Sequence, residues 1–179
     1  MKKRYQNFAA YNRWSNERLY HVAASLPDTD YRADGGAFFS SIHGTLNHLL
    51  VTDRIWMKRF TKSGEAPTRL DEILFDDLSS LRLARAEEDD RIEDFISGLT
   101  AGELDGMLRY RTVVNPVDMV QPLAPTLDHF FNHQTHHRGQ VHCLLTAIIG
   151  NTATPSLDFL LFQRETEWGA AVNRRLAVT

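Results

Sequence analysis

The chain has 179 residues, a formal net charge of −3 and a single cysteine, Cys143. That length predicts one domain, residues 1–179, with a core that needs no disulfide staples. One cysteine excludes a disulfide framework and a thiolate-based structural zinc site. The weak negative charge argues against nucleic acid as a partner. No apolar run approaches the ~18 residues that span a bilayer, so no membrane partner is expected.

The start, MKKRYQNFAAYNRWSNERLY, is basic but lacks the continuous apolar stretch of a signal peptide, and a cytoplasmic location is expected. Tyr5, Phe8, Ala9, Asn12 and Leu19 recur near one side at helical spacing, predicting an amphipathic helix over residues 4–24. Leu26-Pro27-Asp28 ends it, because proline disfavours helix at the residue before it. A loop through Asp34-Gly35-Gly36 leads to a second helix, capped by Ser40 or Ser41 and running to Thr61, with Ser63-Gly64 as the stop. A third helix is predicted over residues 76–99. Its apolar side carries Leu78, Leu81, Leu83, Ile92, Phe95 and Ile96, and its AEEDDRIED run reads as a solvated face. Residues 108–123, rich in Tyr, Thr and Val around Asn115-Pro116, read as a short hairpin or extended excursion. Pro125 opens a fourth helix that continues to Ile149, with Gly150 as its C-cap. The tail, residues 156–174, reads as one or two short helices. Together these elements predict an all-α fold, a four-helix bundle with crossover connections, whose core is the usual place for a metal site.

Histidine is the unusual residue: there are eight, and five (His129, His133, His136, His137 and His142) fall within HFFNHQTHHRGQVH. At about 100° per residue, with His129 as zero, Phe130, Val141, Leu144 and Ile148 mark an inward face between about 60° and 120°. His133 at about 40° and His137 at about 80° join it, whereas His129 and His136 lie at its edge and His142 lies outside. Two imidazoles at i and i+4 come close enough to share one metal ion. Burying two such rings unpaired costs desolvation, and their charged forms repel; a divalent cation removes both problems. A third ligand must come from another helix. In SIHGTLNHLLVTDRIW, Asn47, Arg54 and Lys58 mark a polar arc with His43 at its edge. His48 lies on the flank with Val51 and Ile55 and is the better inward candidate, though periodicity alone does not decide it. His21 reads as a surface residue, and Cys143 as a small packed one.

Three imidazoles leave coordination positions open, the mark of a catalytic or ligand-binding site rather than a structural one. Imidazole suits zinc, nickel or iron. Gln140, at about 20°, can orient a ligand from behind or touch the substrate. The H-E-x-x-H metalloprotease pattern fails because Gln134 stands where its glutamate base is needed. A di-iron carboxylate bundle fails because no Glu-x-x-His occurs.

SIHGTLNHLLVTDRIW and HFFNHQTHHRGQVH, with the opening YNRWSNERL and the closing TPSLDFLLF, resemble the DinB (damage-inducible) family, within the wider superfamily that includes the YfiT-like proteins. The specific part is N-H-L-L-x-x-D followed by H-x-x-x-H-R-G-Q. The resemblance implies a bundle of up-down-down-up type, commonly a homodimer. It also implies that His48, His133 and His137 are the metal ligands. Nickel and zinc are the metals it implies, with iron or manganese as further options.

Some relatives in that superfamily act with mycothiol, bacillithiol or glutathione. The resemblance therefore implies a metal-dependent enzyme, a thiol-dependent S-transferase or a hydrolase, with a low-molecular-weight thiol and a small electrophile as partners. Asp53 and Gln140 are then the candidates to orient the ligands. The alternative is a non-catalytic metal-binding stress-response protein, and a third reading is a purely structural bundle with surface histidines.

Overall fold

A computed structural model describes residues 1–166 and has, among them, seven helices and one two-stranded sheet. Of the one or two short helices predicted over residues 156–174, one is present at Phe159–Glu165; residues 167–174 lie outside the described residues. The chain opens with α1 (Lys2–Ala23), followed directly by the short α2 (Asp28–Arg32). Sequence spacing missed α2 because Pro27 reads as a stop. It also serves as a start, standing just before the first turn with φ −55°. Ser41 begins α3 (Ile42–Thr61), its side chain accepting the Gly44 N–H, and Lys62 ends it in the left-handed region at φ 59°. Asp77 caps α4 (Leu78–Gly98), and a Thr100–Glu103 capping box sets the one-turn α5 (Ala101–Leu104).

The predicted excursion is an antiparallel hairpin, β1 (Met107–Arg111) and β2 (Asp118–Pro122), with Tyr110 opposite Met119. The last long helix, α6 (Leu123–Ile149), starts earlier than expected. Pro125 sits within its first turn, where a missing N–H costs no intrahelical bond. Then α7 (Phe159–Glu165) follows, capped by Asp158. No helix among the described residues is long and apolar enough to cross a membrane.

Four long helices make the body, with α1 and α3 each packed against both α4 and α6. The apolar interior has two parts. One gathers Leu19, Tyr20 and Ala23 of α1, Leu46, Leu49 and Leu50 of α3, Leu81 of α4, and Val141 and Leu145 of α6. The other gathers Tyr5 and Ala9 of α1, Met57 of α3, Ile92 and Ile96 of α4, and Leu127, Phe130 and Phe131 of α6.

A buried polar layer lies between the two parts along every long helix. Arg85 Nη1 on α4 donates to Asp53 Oδ2 on α3 at 2.6 Å, and Arg85 Nη2 lies 3.1 Å from Asp89. Asp89 Oδ1 accepts from Asn12 and Asn16 of α1 at 3.0 and 3.1 Å. Asn12 Oδ1 in turn accepts from Arg138 of α6. One chain of charge and amide groups therefore ties together all four helices.

This layer corrects the reading of the acidic run. Glu88 and Asp89 are 6% and 3% exposed, because Arg85, Arg91 and the α1 asparagines meet them on the inward side. Leu83, expected on the apolar side, is 69% exposed. Ile148 is likewise exposed, and Cys143 is an exposed thiol rather than a packed residue.

Replacing Arg85 with Ala leaves Asp53 and Asp89 buried without a counter-charge. The expected cost is about 3–5 kcal/mol, read as a lowered urea midpoint. A loss below about 1 kcal/mol would mean that the layer is solvated.

Candidate metal centre

Helices α3 and α6 pack side by side and bring together the three predicted histidines. His48 is buried on α3; on α6, His137 is buried and His133 half-buried. One ring nitrogen from each lies within 4.8 Å of the others. Ring centroids stand 4.5 Å apart for His48 and His137, 4.4 Å for His133 and His137, and 5.4 Å for His48 and His133.

Two of the rings are held by their far nitrogens. His48 Nδ1 donates to the Leu70 carbonyl at 2.7 Å, which leaves Nε2 with its lone pair. That Nε2 is buried and has no hydrogen-bond partner among the described residues. His137 Nδ1 donates to Gln140 Oε1 at 2.9 Å, and Gln140 Nε2 faces His136 Nε2 at 3.3 Å. Gln140 thus orients a candidate ligand from behind, although the ligand is His137 rather than the predicted neighbour His133.

The Leu70 carbonyl comes from a connector that Asn47 holds in place. Asn47 Oδ1 accepts the N–H groups of Leu74 and Phe75 at 2.9 and 3.0 Å, and its Nδ2 donates to the Phe75 carbonyl. Asn47 is therefore fully buried, not part of a solvated arc. On the other side Phe39 stacks on His48 at 3.7 Å between centroids, with 19° between planes, and lies 5.6 Å from His137. Gly44 permits this approach, since a Cβ there would lie 2.2 Å from the Phe39 carbonyl oxygen. Neither Phe39 nor Leu70 carries a periodic signal, so sequence spacing could not find them.

Other histidines and the predicted helper Asp53 lie elsewhere. Asp53 makes no hydrogen bond to the cluster; its carboxylate faces Arg85 in the polar layer, which corrects the expectation that it orients a ligand. His43 Nδ1 meets the Tyr31 hydroxyl at 3.3 Å. His129 packs edge-on against Trp56, and His21 and His136 are exposed. No carboxylate or thiol joins the three imidazoles among the described residues.

Burial keeps the three rings neutral. Desolvation brings His48 down to about 4 and, with the neighbouring rings adding to it, His133 to about 3. His137 is lowered by the same cause. Neutral imidazoles with converging nitrogens, one of them a buried and unpartnered lone pair, fit a divalent ion.

The fold and site define a helical protein with a three-histidine cluster able to hold a metal ion. The chain belongs to the DinB family, which it matches over residues 1–170. It is similar to Protein DinB of Bacillus subtilis (strain 168), 24% identical over 166 residues that cover 88% of this chain and 93% of that protein.

In the metal-free protein the unfolded chain's histidines take up protons below their ordinary value of 6.5, whereas folded His48 resists until about 4 and His133 until about 3. The unfolded state binds more protons across that window, so stability falls as the pH falls. Asp53, which burial pushes above the ordinary carboxylate range against a smaller pull from Arg85, acts in the opposite sense, so the histidine part is read as a difference. The His133→Gln protein is expected to lose less stability than the parent from about pH 6.5 down to about pH 4 in thermal melts. Equal losses would mean that the His133 ring is solvated.

Proposed function

We propose that the protein is a metal-dependent enzyme, a thiol-dependent S-transferase or hydrolase, with His48, His133 and His137 as ligands of a nickel or zinc ion. The observation that carries this reading is the cluster itself: three imidazoles, each with one ring nitrogen within 4.8 Å of the others, and no carboxylate or thiol joining them among the described residues. Three protein ligands leave room for a substrate atom. A divalent ion held there supplies a Lewis acid that lowers the pKa of a thiol or water at the open position.

The chain's own residues prepare the site. Leu70 and Gln140 fix the His48 and His137 rings with their lone pairs turned inward. Phe39 covers one face of His48 and keeps water from it. Low proton affinity keeps the imidazoles free for metal at neutral pH.

We read the fold as a four-helix bundle of up-down-down-up type. The two cores support this: the beginnings of α1 and α6 share one core with the ends of α3 and α4. A homodimer in the cytoplasm, with a low-molecular-weight thiol and a small electrophile as partners, completes the proposal.

Elemental analysis is expected to find one divalent ion per chain in the parent and loss of the ion in each of His48→Ala, His133→Ala and His137→Ala. Retention at parental stoichiometry by all three would overturn the ligand assignment. Metal removal is expected to lower the Tm, because the ion binds only the folded site. A panel of thiols and electrophiles then separates the enzyme from a non-catalytic metal-binding protein, which would give the same metal loss and no product. Gln140→Ala is expected to weaken metal affinity about 10–100-fold in competition with a chelator, since it frees the His137 ring.

A further inference from the structure

Four of the larger cavities along the described residues are each lined by at least one Lys, Arg, Asp or Glu. Another, of about 310 Å³, lies where α3, the hairpin and α6 meet, and no charged side chain lines it. Its walls are the rings of Trp56 and Tyr110, with Pro122 and Pro125 at the β2–α6 junction.

Gln121, Thr126 and His129 bring polar groups to this groove. The Tyr110 hydroxyl donates to Gln121 Oε1 at 2.5 Å, which leaves the Gln121 amide N–H₂ as a donor. His129 is also part of the lining. Its ring centroid is 5.4 Å from Trp56 and 6.0 Å from His133, so the groove adjoins the three-histidine cluster through one side chain. Arg59 stands over Trp56 and Tyr110 at 4.4 and 4.6 Å and braces both rings. Phe39, which is not among the groove's lining residues, already occupies one face of His48.

Arg59 is held on the ring faces and is not a lining residue, so the groove presents flat rings and no charged side chain. That favours a neutral, flat group, and about 310 Å³ has room for at least one ring. We propose that this groove holds the neutral, single-ring aromatic part of the ligand whose donor atom reaches the three-histidine centre. The proposal rests on the metal-dependent reading above and adds a specificity determinant to it, Trp56.

The test uses the full chain loaded with cobalt(II) without oxygen, titrated with benzyl mercaptan and with ethanethiol, and read by the cobalt–thiolate charge-transfer band. Benzyl mercaptan is expected to bind about tenfold more tightly than ethanethiol. In Trp56→Leu, which keeps an apolar side chain but loses the flat face, that preference should fall below about threefold while cobalt content and ethanethiol affinity stay at parental values. Equal affinity of the two thiols in the parent, or an undiminished preference in Trp56→Leu, overturns the groove and leaves the metal reading standing.

If cobalt loads but neither thiol gives the band, the thiol reading fails and benzyl alcohol, which needs no metal, decides the groove. Saturable movement of the Trp56 indole N–H resonance then supports it, and no movement up to the solubility limit overturns it.

Discussion

The Arg85 guanidinium, buried between Asp53 and Asp89, is the constraint on which the helix packing depends. Apolar surfaces on helices can slide or rotate against one another at small cost. A buried ion pair cannot, because a displaced partner leaves a charge in a medium that does not solvate it. Through Asp89 and Asn12 the constraint reaches α1, and through Asn12 it reaches Arg138 on α6. His137 is the residue before Arg138. Turning α6 by one residue, about 100°, would lift Arg138 out of the layer and carry His133 and His137 away from His48. The register that satisfies the polar layer is also the register that assembles the histidines.

That coupling gives a physical reason for both motifs. In N-H-L-L-x-x-D, Asn47 clamps the connector, His48 enters the cluster, Leu49 and Leu50 fill the core, and Asp53 anchors Arg85. In H-x-x-x-H-R-G-Q, the two histidines face α3, Arg138 joins the polar layer and Gln140 fixes His137. The polar residues divide into two tasks on adjacent faces of the same helices: holding the helices together, and presenting imidazole nitrogens.

The loops finish what the helices begin. The connector between α3 and α4 has no regular structure of its own, yet it returns the Leu70 carbonyl to His48 because Asn47 meets its backbone. The tight turn before α3, with Ser40 at φ 63° and Gly44 beneath it, lays Phe39 on the same imidazole. His48 is thus gripped at Nδ1 and covered on one face, and its remaining nitrogen is buried without a hydrogen-bond partner among the described residues. A ring held in this way loses little freedom on taking a ligand.

Periodicity along the chain determined the four long helices and the inward direction of His133 and His137, because each is a local pattern of one helix; composition marked residues 108–123 as a hairpin or extended excursion without choosing between them. Periodicity made His48 the better inward candidate than His43 without deciding that it is a ligand, and the family resemblance supplied that assignment. Tertiary structure decided the rest. The acidic run of α4 looks solvated by composition, and only its packing against Arg85 and the α1 asparagines takes Glu88 and Asp89 out of water. Asp53 looked like a helper of the metal site, and only the position of α4 gives it to Arg85 instead. Phe39 and Leu70 belong to irregular segments, where side-chain spacing has no period to read. Helical periodicity says which way a residue points. The partner it meets depends on what the rest of the chain places there.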